Sequence, residues 1–435
     1  MKIENKEDIR DLFVGLDEKV CDCNGNCIDA INFDNAATTP PIKSSIEYIK
    51  QLSNTYASIG RGTGQNAEIT TNLYRESKDF LMNFFNVKDK EKYIVIYVSN
   101  TTEGINKLAN TLSKSPNELI LTSRMEHHSN DLPWRKRGEV DYIEVDEHGR
   151  LKIDELEEKL KRNNGRIKYV SITGASNVTG YKNEIHSIAK LVHKYNAKLI
   201  VDGAQLVPHT RVNISGETDD EQIDFLVFSS HKIYSPFGVG VIIGLKEDFI
   251  NPDPDYIGGG TVELVLDNEI ALLPPPERNE AGTPNFLGVM GLINSLRIVN
   301  SIGYDNIEQH ERILLKHTIE GLNEIPKIIN YGDTEDISDR LGITTFNLED
   351  MYHHDLANIL AKRKGISVRH GWFCAHPYCR RLMNVSENEA KEFLQNPAKK
   401  MFGMVRVSFA LYNTIDEVDI FLNVIEDISL GKIQR

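Results

Sequence analysis

Cysteine is scarce in this chain: five residues in 435, a number too small and too odd for a disulfide framework. Basic side chains are also in deficit, with 50 Lys and Arg against 64 Asp and Glu for a formal net charge of −14. That balance leaves no electrostatic footprint for a nucleic acid. No apolar run approaches the roughly 20 residues needed to span a bilayer. The N-terminal stretch "MKIENKEDIRDLF" is charged and lacks the apolar core of a signal peptide. Internal repeats and low-complexity linkers are missing as well. These absences predict an acidic, soluble, cytoplasmic protein without nucleic-acid or membrane partners. The apolar and charged shares, 40% and 26%, are ordinary, and the length suffices for two domains and at least one large core.

Short β-branched runs alternate with helical periodicity through the first 300 residues. "YIVIYV" (93–98), "ELILTS" (118–123), "IKYVSIT" (167–173), "KLIVDG" (198–203) and "DFLVFSS" (224–230) read as buried strands. Between the third and fourth, "NEIHSIAKLVHKYN" places Ile185, Ile188, Ala189 and Val192 on one helical face. Strand, helix and strand at this spacing predict a βαβ unit, hence an α/β fold with a mainly parallel, helix-covered sheet. From about 286 to 323 the pattern becomes one long helical stretch. Strand-like "GITTFNL" (342–348), "GISVR" (365–369) and "MVRVSF" (404–409) then interleave with helices, which predicts a smaller α+β C-terminal domain. The polar segment 384–403 reads as a surface helix and loop.

Ligands of parallel sheets sit beyond the carboxyl ends of the strands, and those ends carry polar groups here. "YVSNTTEGIN" enters a helix through Ser99, Asn100, Thr101 and Thr102, either an ordinary N-cap or an anion cradle. Asp202 ends the run "VDGAQ", either as a capping residue or as a buried carboxylate needing a cation or donor. Lys232, in "FSSHKIYSPFG", follows a strand and precedes a Pro/Gly loop. It is either a solvated loop lysine or an amine desolvated for Schiff-base chemistry. Taken together, the three meet the needs of pyridoxal phosphate: donors for the phosphate, an acid for the pyridinium nitrogen, an amine for the aldehyde.

At these residues the chain resembles the class V aminotransferases, and within them the SUF-type cysteine desulfurases and selenocysteine lyases. The likeness runs from "FDNAATTPP" (33–41) to "VRVSFALYNTIDEVD" (405–419). Between them lie "TTEGIN" (101–106), "EHHSND" (126–131), "SNVTG" (176–180), "VDGAQ" (201–205), "SSHK" (229–232), "NEAGTPN" (279–285) and "VRHGWFCAHP" (368–377). The resemblance implies a pyridoxal-phosphate transferase of fold type I. It implies an N-terminal segment (1–32) packing on the small domain, a large cofactor domain (33–299), and a small domain (300–435) that carries the cysteine loop. It makes Lys232 the Schiff-base lysine, Asp202 the partner of the ring nitrogen, Gln205 a donor to the ring oxygen and His127 the residue stacked on the ring. Thr101, Thr102, Ser229 and His231 would hold the phosphate, and Thr283 would reach the phosphate of a neighbouring subunit in a homodimer. Asn177, Arg369 and Arg406 would bind the carboxylate of L-cysteine, a task suited to the planar guanidinium. Sulfur would pass to Cys374, leaving alanine, and then to an acceptor protein.

"RHGWFCAHPYC" (369–379) holds two of the five cysteines. Besides the nucleophile reading, Cys374, His376 and Cys379 are metal-ligand types, and a free cysteine often packs as a small hydrophobe. Glycine before Cys374 and "AHP" after it predict a loop entering a helix, where the dipole favours a thiolate, while Cys379 reads as a core or surface thiol on a helix rather than a second sulfur carrier. Three features depart from the family pattern. Trp372 and Phe373 stand where a polar, histidine-containing pair is usual, an aromatic wall that opens an aminotransferase, epimerase or C–S lyase reading on a bulkier substrate. The segment 378–404 is long, and could cover the site or dock a partner. "CDCNGNC" groups Cys21, Cys23 and Cys27, which are incidental turn thiols, soft-metal ligands or a sulfur relay. No resident metal is expected at the active site.

Overall fold

The computed structural model describes residues 9–60, 62–112, 118–163, 165–396 and 401–433. A hairpin of β1 (Lys19–Cys21) and β2 (Cys27–Asp29) leads into the short strand β3 (Ile31–Asn32). Strands β4 (Tyr93–Val98), β5 (Leu119–Ser123), β6 (Glu139–Ile143), β7 (Ile167–Thr173), β8 (Lys198–Asp202), β9 (Phe225–Ser229) and β10 (Gly240–Leu245) form a seven-stranded sheet. Its order is β4-β10-β9-β8-β7-β5-β6. Only β10 is antiparallel to its neighbours; β9, β8, β7, β5 and β6 pair in parallel. This is the α/β, mainly parallel mixed sheet expected from the alternating pattern. The helix between β7 and β8 spans Ile185–Lys194 and buries Ile185, Ile188, Ala189 and Val192, the face that its periodicity marked.

Two strands of this sheet escaped the hydrophobic pattern for opposite reasons. β6, at the edge, carries Glu139 and Asp141 and is only partly buried. β10 is fully buried but interrupted by Gly240 and Gly244. A Cβ on Gly240 would lie 2.5 Å from the Asn100 backbone, and one on Gly244 would lie 2.5 Å from the Phe225 ring. Glycine, poor in strands by propensity, is here the residue that lets a backbone and a ring approach.

Hairpin β11 (Val262–Val265) and β12 (Ile270–Leu272) stands outside the sheet. The single helix anticipated over 286–323 is two, Phe286–Ile302 and Tyr304–Glu324, bent by 77°. Gly303 makes the break at φ 90°, a conformation that glycine adopts without a Cβ clash. No single helix among the described residues is long and apolar enough to cross a membrane.

Beyond the bend, β13 (Ile328–Tyr331), β14 (Ile343–Leu348), β16 (Arg369–Gly371) and β17 (Met404–Ser408) form an antiparallel sheet ordered β13-β14-β17-β16. Strand β15 (Ile366–Ser367) pairs in parallel with β3. Ile31 and Phe33 therefore sit in a second core with Leu314, Phe346, Val405 and Phe421. Phe13 packs elsewhere, its ring 5.0 Å from Tyr234 and 5.3 Å from Tyr412. The N-terminal segment thus touches both cores.

Candidate active site

The carboxyl ends of β7, β8 and β9, the start of helix Thr101–Leu112 and the loop after β16 surround one cavity of about 330 Å³. Twelve of the thirteen singled-out residues line it: Thr101, Thr102, His127, Asn177, Asp202, Gln205, Ser229, His231, Lys232, Arg369, Cys374 and Arg406. Thr283 does not. It lines a separate cavity with Tyr74, Glu103, Tyr256 and Glu280.

Lys232 lies one short turn past β9, and its Nζ donates to Gln205 Oε1 at 3.1 Å. Burial pulls its ammonium pKa down to about 8, opposed by Asp202 and reinforced by Arg406. Desolvation disfavours the charged form, so a large share of the lysine is free amine in weak base. Burial moves the Asp202 carboxyl the other way, up from its usual range, while the Ala204 N–H and Lys232 hold it down. Asp202 Oδ1 accepts from Ala204 N at 3.0 Å.

The cradle beside them has the donor chemistry of an anion site. Ser229 Oγ accepts from Thr101 N at 2.8 Å and lies 2.7 Å from Thr101 Oγ1. Thr102 Oγ1 lies 2.7 Å from Ser129 Oγ, and Ser129 Oγ lies 3.0 Å from His127 Nδ1. Asn100 caps the helix through Glu103 N at 2.9 Å. The capping reading of this segment is met by Asn100, while Thr101 and Thr102 line the cavity. Burial, with Lys232 next, lowers His127 to about 3 and His231 to about 4, so both rings are neutral at ordinary pH.

On the opposite wall the guanidinium of Arg406 is buried. It donates to Asn177 O and to Asp34 Oδ1, each at 2.8 Å, and its Nε has no partner among the described residues. Arg369 Nη1 lies 3.6 Å from Asp34 Oδ2. Asp34 thus faces both arginines, from the "FDNAATTPP" stretch but unmarked by any local pattern.

Cys374 is exposed, and the loop that carries it is fastened at three points. Asn177 Nδ2 donates to Phe373 O at 2.8 Å, His128 N to Cys374 O at 2.7 Å, and His376 N to His128 Nε2 at 3.2 Å. Phe373 and Cys374 both have positive φ, 48° and 54°, costly for residues with a Cβ. The helix expected beyond the loop spans His376–Leu382. Of the aromatic pair only Phe373 forms a wall, its ring centroid 5.1 Å from Arg406 Cζ. Trp372 turns away, donating to Phe402 O and packing 4.9 Å from His376. The described residues of segment 378–404 contribute none of the lining. Cys379 is buried and its thiol pKa is pushed up by desolvation, as a core thiol's should be. Among the described residues no group of three His, Cys, Asp or Glu is arranged to hold a metal. Cys21, Cys23 and Cys27 are exposed around the β1–β2 turn.

The class-V aminotransferase profile matches residues 31–421. A probable cysteine desulfurase of Pyrococcus abyssi is 36% identical over 92% of this chain and 94% of its own length. A cysteine desulfurase of Cronobacter sakazakii is 34% identical over 84% of each. The apo structure of the cysteine desulfurase from Thermococcus onnurineus NA1 superposes with a TM-score of 0.82 at 33% identity, covering 92% of this chain and 95% of that one. The cysteine desulfurase CsdA of Escherichia coli gives a TM-score of 0.81 at 25% identity over 99% and 100%. With the sheet, the cavity and these likenesses in agreement, the chain belongs to the class-V aminotransferase family, among its cysteine desulfurases.

Proposed function

We propose that the protein removes sulfur from L-cysteine with pyridoxal 5'-phosphate bound in the cavity around Lys232. The observation that carries this reading is the half-buried Lys232 amine facing a buried Asp202 carboxyl, with an exposed cysteine thiol on the same cavity. The residues fit the group: the hydroxyls of Thr101, Thr102 and Ser229 and the ring of His231 suit its phosphate, Asp202 its ring nitrogen, and His127 its face. When bound, the cofactor supplies an electron sink for the α-carbon of an amino acid. Lys232 takes and returns the α-proton, a role for which an amine titrating near 8 is suited. Arg406, with Asn177 and Arg369 beside it, holds the substrate carboxylate. The sulfur of Cys374, as thiolate, attacks the substrate sulfur: the carbon–sulfur bond breaks, a sulfur–sulfur bond forms, and L-cysteine plus Cys374–SH become L-alanine plus Cys374–S–SH.

The exposure of Cys374 suits handing that sulfur to an acceptor protein. A homodimer is part of this reading. Leu264, Val265, Leu266 and Ile270 on the β11–β12 hairpin are each more than half exposed, an apolar surface that a second copy would cover, and Thr283 lines a cavity separate from that of its own Lys232. A cytoplasmic setting suits three exposed N-terminal thiols. The division at 1–32, 33–299 and 300–435 completes the proposal.

Product analysis tests it. Cofactor-loaded protein given L-cysteine and a thiol reductant should release alanine and sulfide in equal amounts, and Cys374→Ala should release neither. Pyruvate and ammonia with sulfide, indifferent to Cys374, would replace this reading with a C–S lyase.

A further inference from the structure

Behind Lys232 runs a line of buried polar groups that the sulfur chemistry above does not use. Gln205 accepts from Lys232 Nζ through Oε1 at 3.1 Å, and its Nε2 lies 3.4 Å from His209 Nε2. His209 Nδ1 lies 2.7 Å from Glu311 Oε1. The side chains of His209 and Glu311 are only 4% and 2% exposed. His209 follows Gln205 by four residues, but Glu311 comes from helix Tyr304–Glu324, beyond the Gly303 bend. A buried carboxylate is costly unless a donor meets it, and His209 meets Glu311.

The chemistry of the three groups fixes their polarity. Glu311 accepts, so the proton of the ring sits on Nδ1, and Nε2 presents its lone pair to the Gln205 amide. That acceptor keeps Gln205 Nε2 on the His209 side and Oε1 on the Lys232 side. One amide hydrogen remains for an oxygen in the cavity. A ring with its proton on Nε2 would face Gln205 donor to donor, and the amide would turn over, setting two donors against the lysine.

We propose that Glu311 and His209 are positioning residues that lock the Gln205 amide, and through it the amine of Lys232, in the orientation needed for cofactor capture. The inference rests on the cofactor reading of the cavity. Other charged or titratable groups facing Lys232 are Asp202, Arg406, Asp34 and Cys374, with His127 and His231 beside it. Each stays in place in the variants below.

The test is a pH titration of the visible absorbance of the lysine-bound cofactor in purified holoenzyme, with thermal midpoints recorded alongside. Glu311→Leu and His209→Phe should each still take up cofactor but move the spectroscopic midpoint by about one pH unit or more, roughly a tenfold change in the equilibrium. Glu311→Gln, whose amide oxygen can accept the same Nδ1 proton, should restore the midpoint of the unsubstituted protein. Either loss variant decides the question if the other fails to fold. An unchanged midpoint in a folded loss variant overturns the relay. A Glu311→Gln midpoint displaced as far as that of Glu311→Leu overturns the tautomer lock. An unsubstituted protein that develops no visible band overturns the cofactor reading, and the relay with it.

Discussion

The floor of the cavity and the loop that carries Cys374 meet the same space with opposite physics. Asp202, Ser229 and Lys232 extend from parallel strands with buried backbones, and their side chains are desolvated. Cys374 is exposed, on two successive residues of left-handed backbone held by hydrogen bonds from Asn177 and His128. Desolvation tunes acid and base strength; exposure lets a thiol reach both a substrate and a second protein. A single setting could not serve both ends.

Substitutions should separate the two ends. Lys232→Ala should abolish stable cofactor capture and cut turnover by at least about 10²–10⁴-fold, the usual worth of a positioned acid–base group. Cys374→Ala should leave the absorbance of the bound cofactor unchanged while sulfide production vanishes; a lost absorbance there would join loop to floor. The floor should also show its desolvation kinetically. Because the folded pKa of Lys232 lies near 8, below its ordinary 10.5, the free amine grows as pH rises. Cofactor capture by the apo protein should therefore climb about tenfold per pH unit below 8 and level off above it. A midpoint near 10 in stopped-flow absorbance would mean that the floor is wet. On the loop side, Phe373→Ala should raise KM for L-cysteine by roughly two- to thirtyfold through loss of the ring over Arg406, with a smaller change in kcat. The smallest effect on stability belongs to Asn177→Leu, which removes the tie to Phe373 O along with a group beside the substrate carboxylate. It should cost about 1 kcal/mol in thermal unfolding and quicken alkylation of Cys374 by iodoacetamide.

What the sequence disclosed follows the same division. The floor was legible because its residues sit at the ends of short apolar runs, where local pattern and the sheet rule coincide. β10 was not, since its glycines answer to Asn100 and Phe225, which no neighbouring residue signals. Nor was the bend at Gly303, where one residue interrupts an otherwise continuous helical pattern. The loop misled in detail. Trp372 and Phe373 look equivalent in sequence, yet positive φ at Phe373 sends one ring over Arg406 and leaves the other against His376. Asp34, His209 and Glu311 act through partners more than a hundred residues away or through a buried amide, distances at which spacing carries no signal.

Asp34 and Arg406 are joined across a sequence separation of 372 residues, and β3 pairs with β15 across a similar gap. This makes the cavity a late event in the life of the chain. On a ribosome, β4 to β10 can close into a sheet and bring Asp202, Ser229 and Lys232 together while the last third is still unmade. The carboxylate-binding wall must wait until β17 emerges, and Asp34 spends that interval without Arg406. Long-range closure of this kind is slow and leaves surfaces uncovered meanwhile. A nascent chain stalled before residue 404 would therefore own an amine and an acid but lack the buried arginine that anchors a substrate.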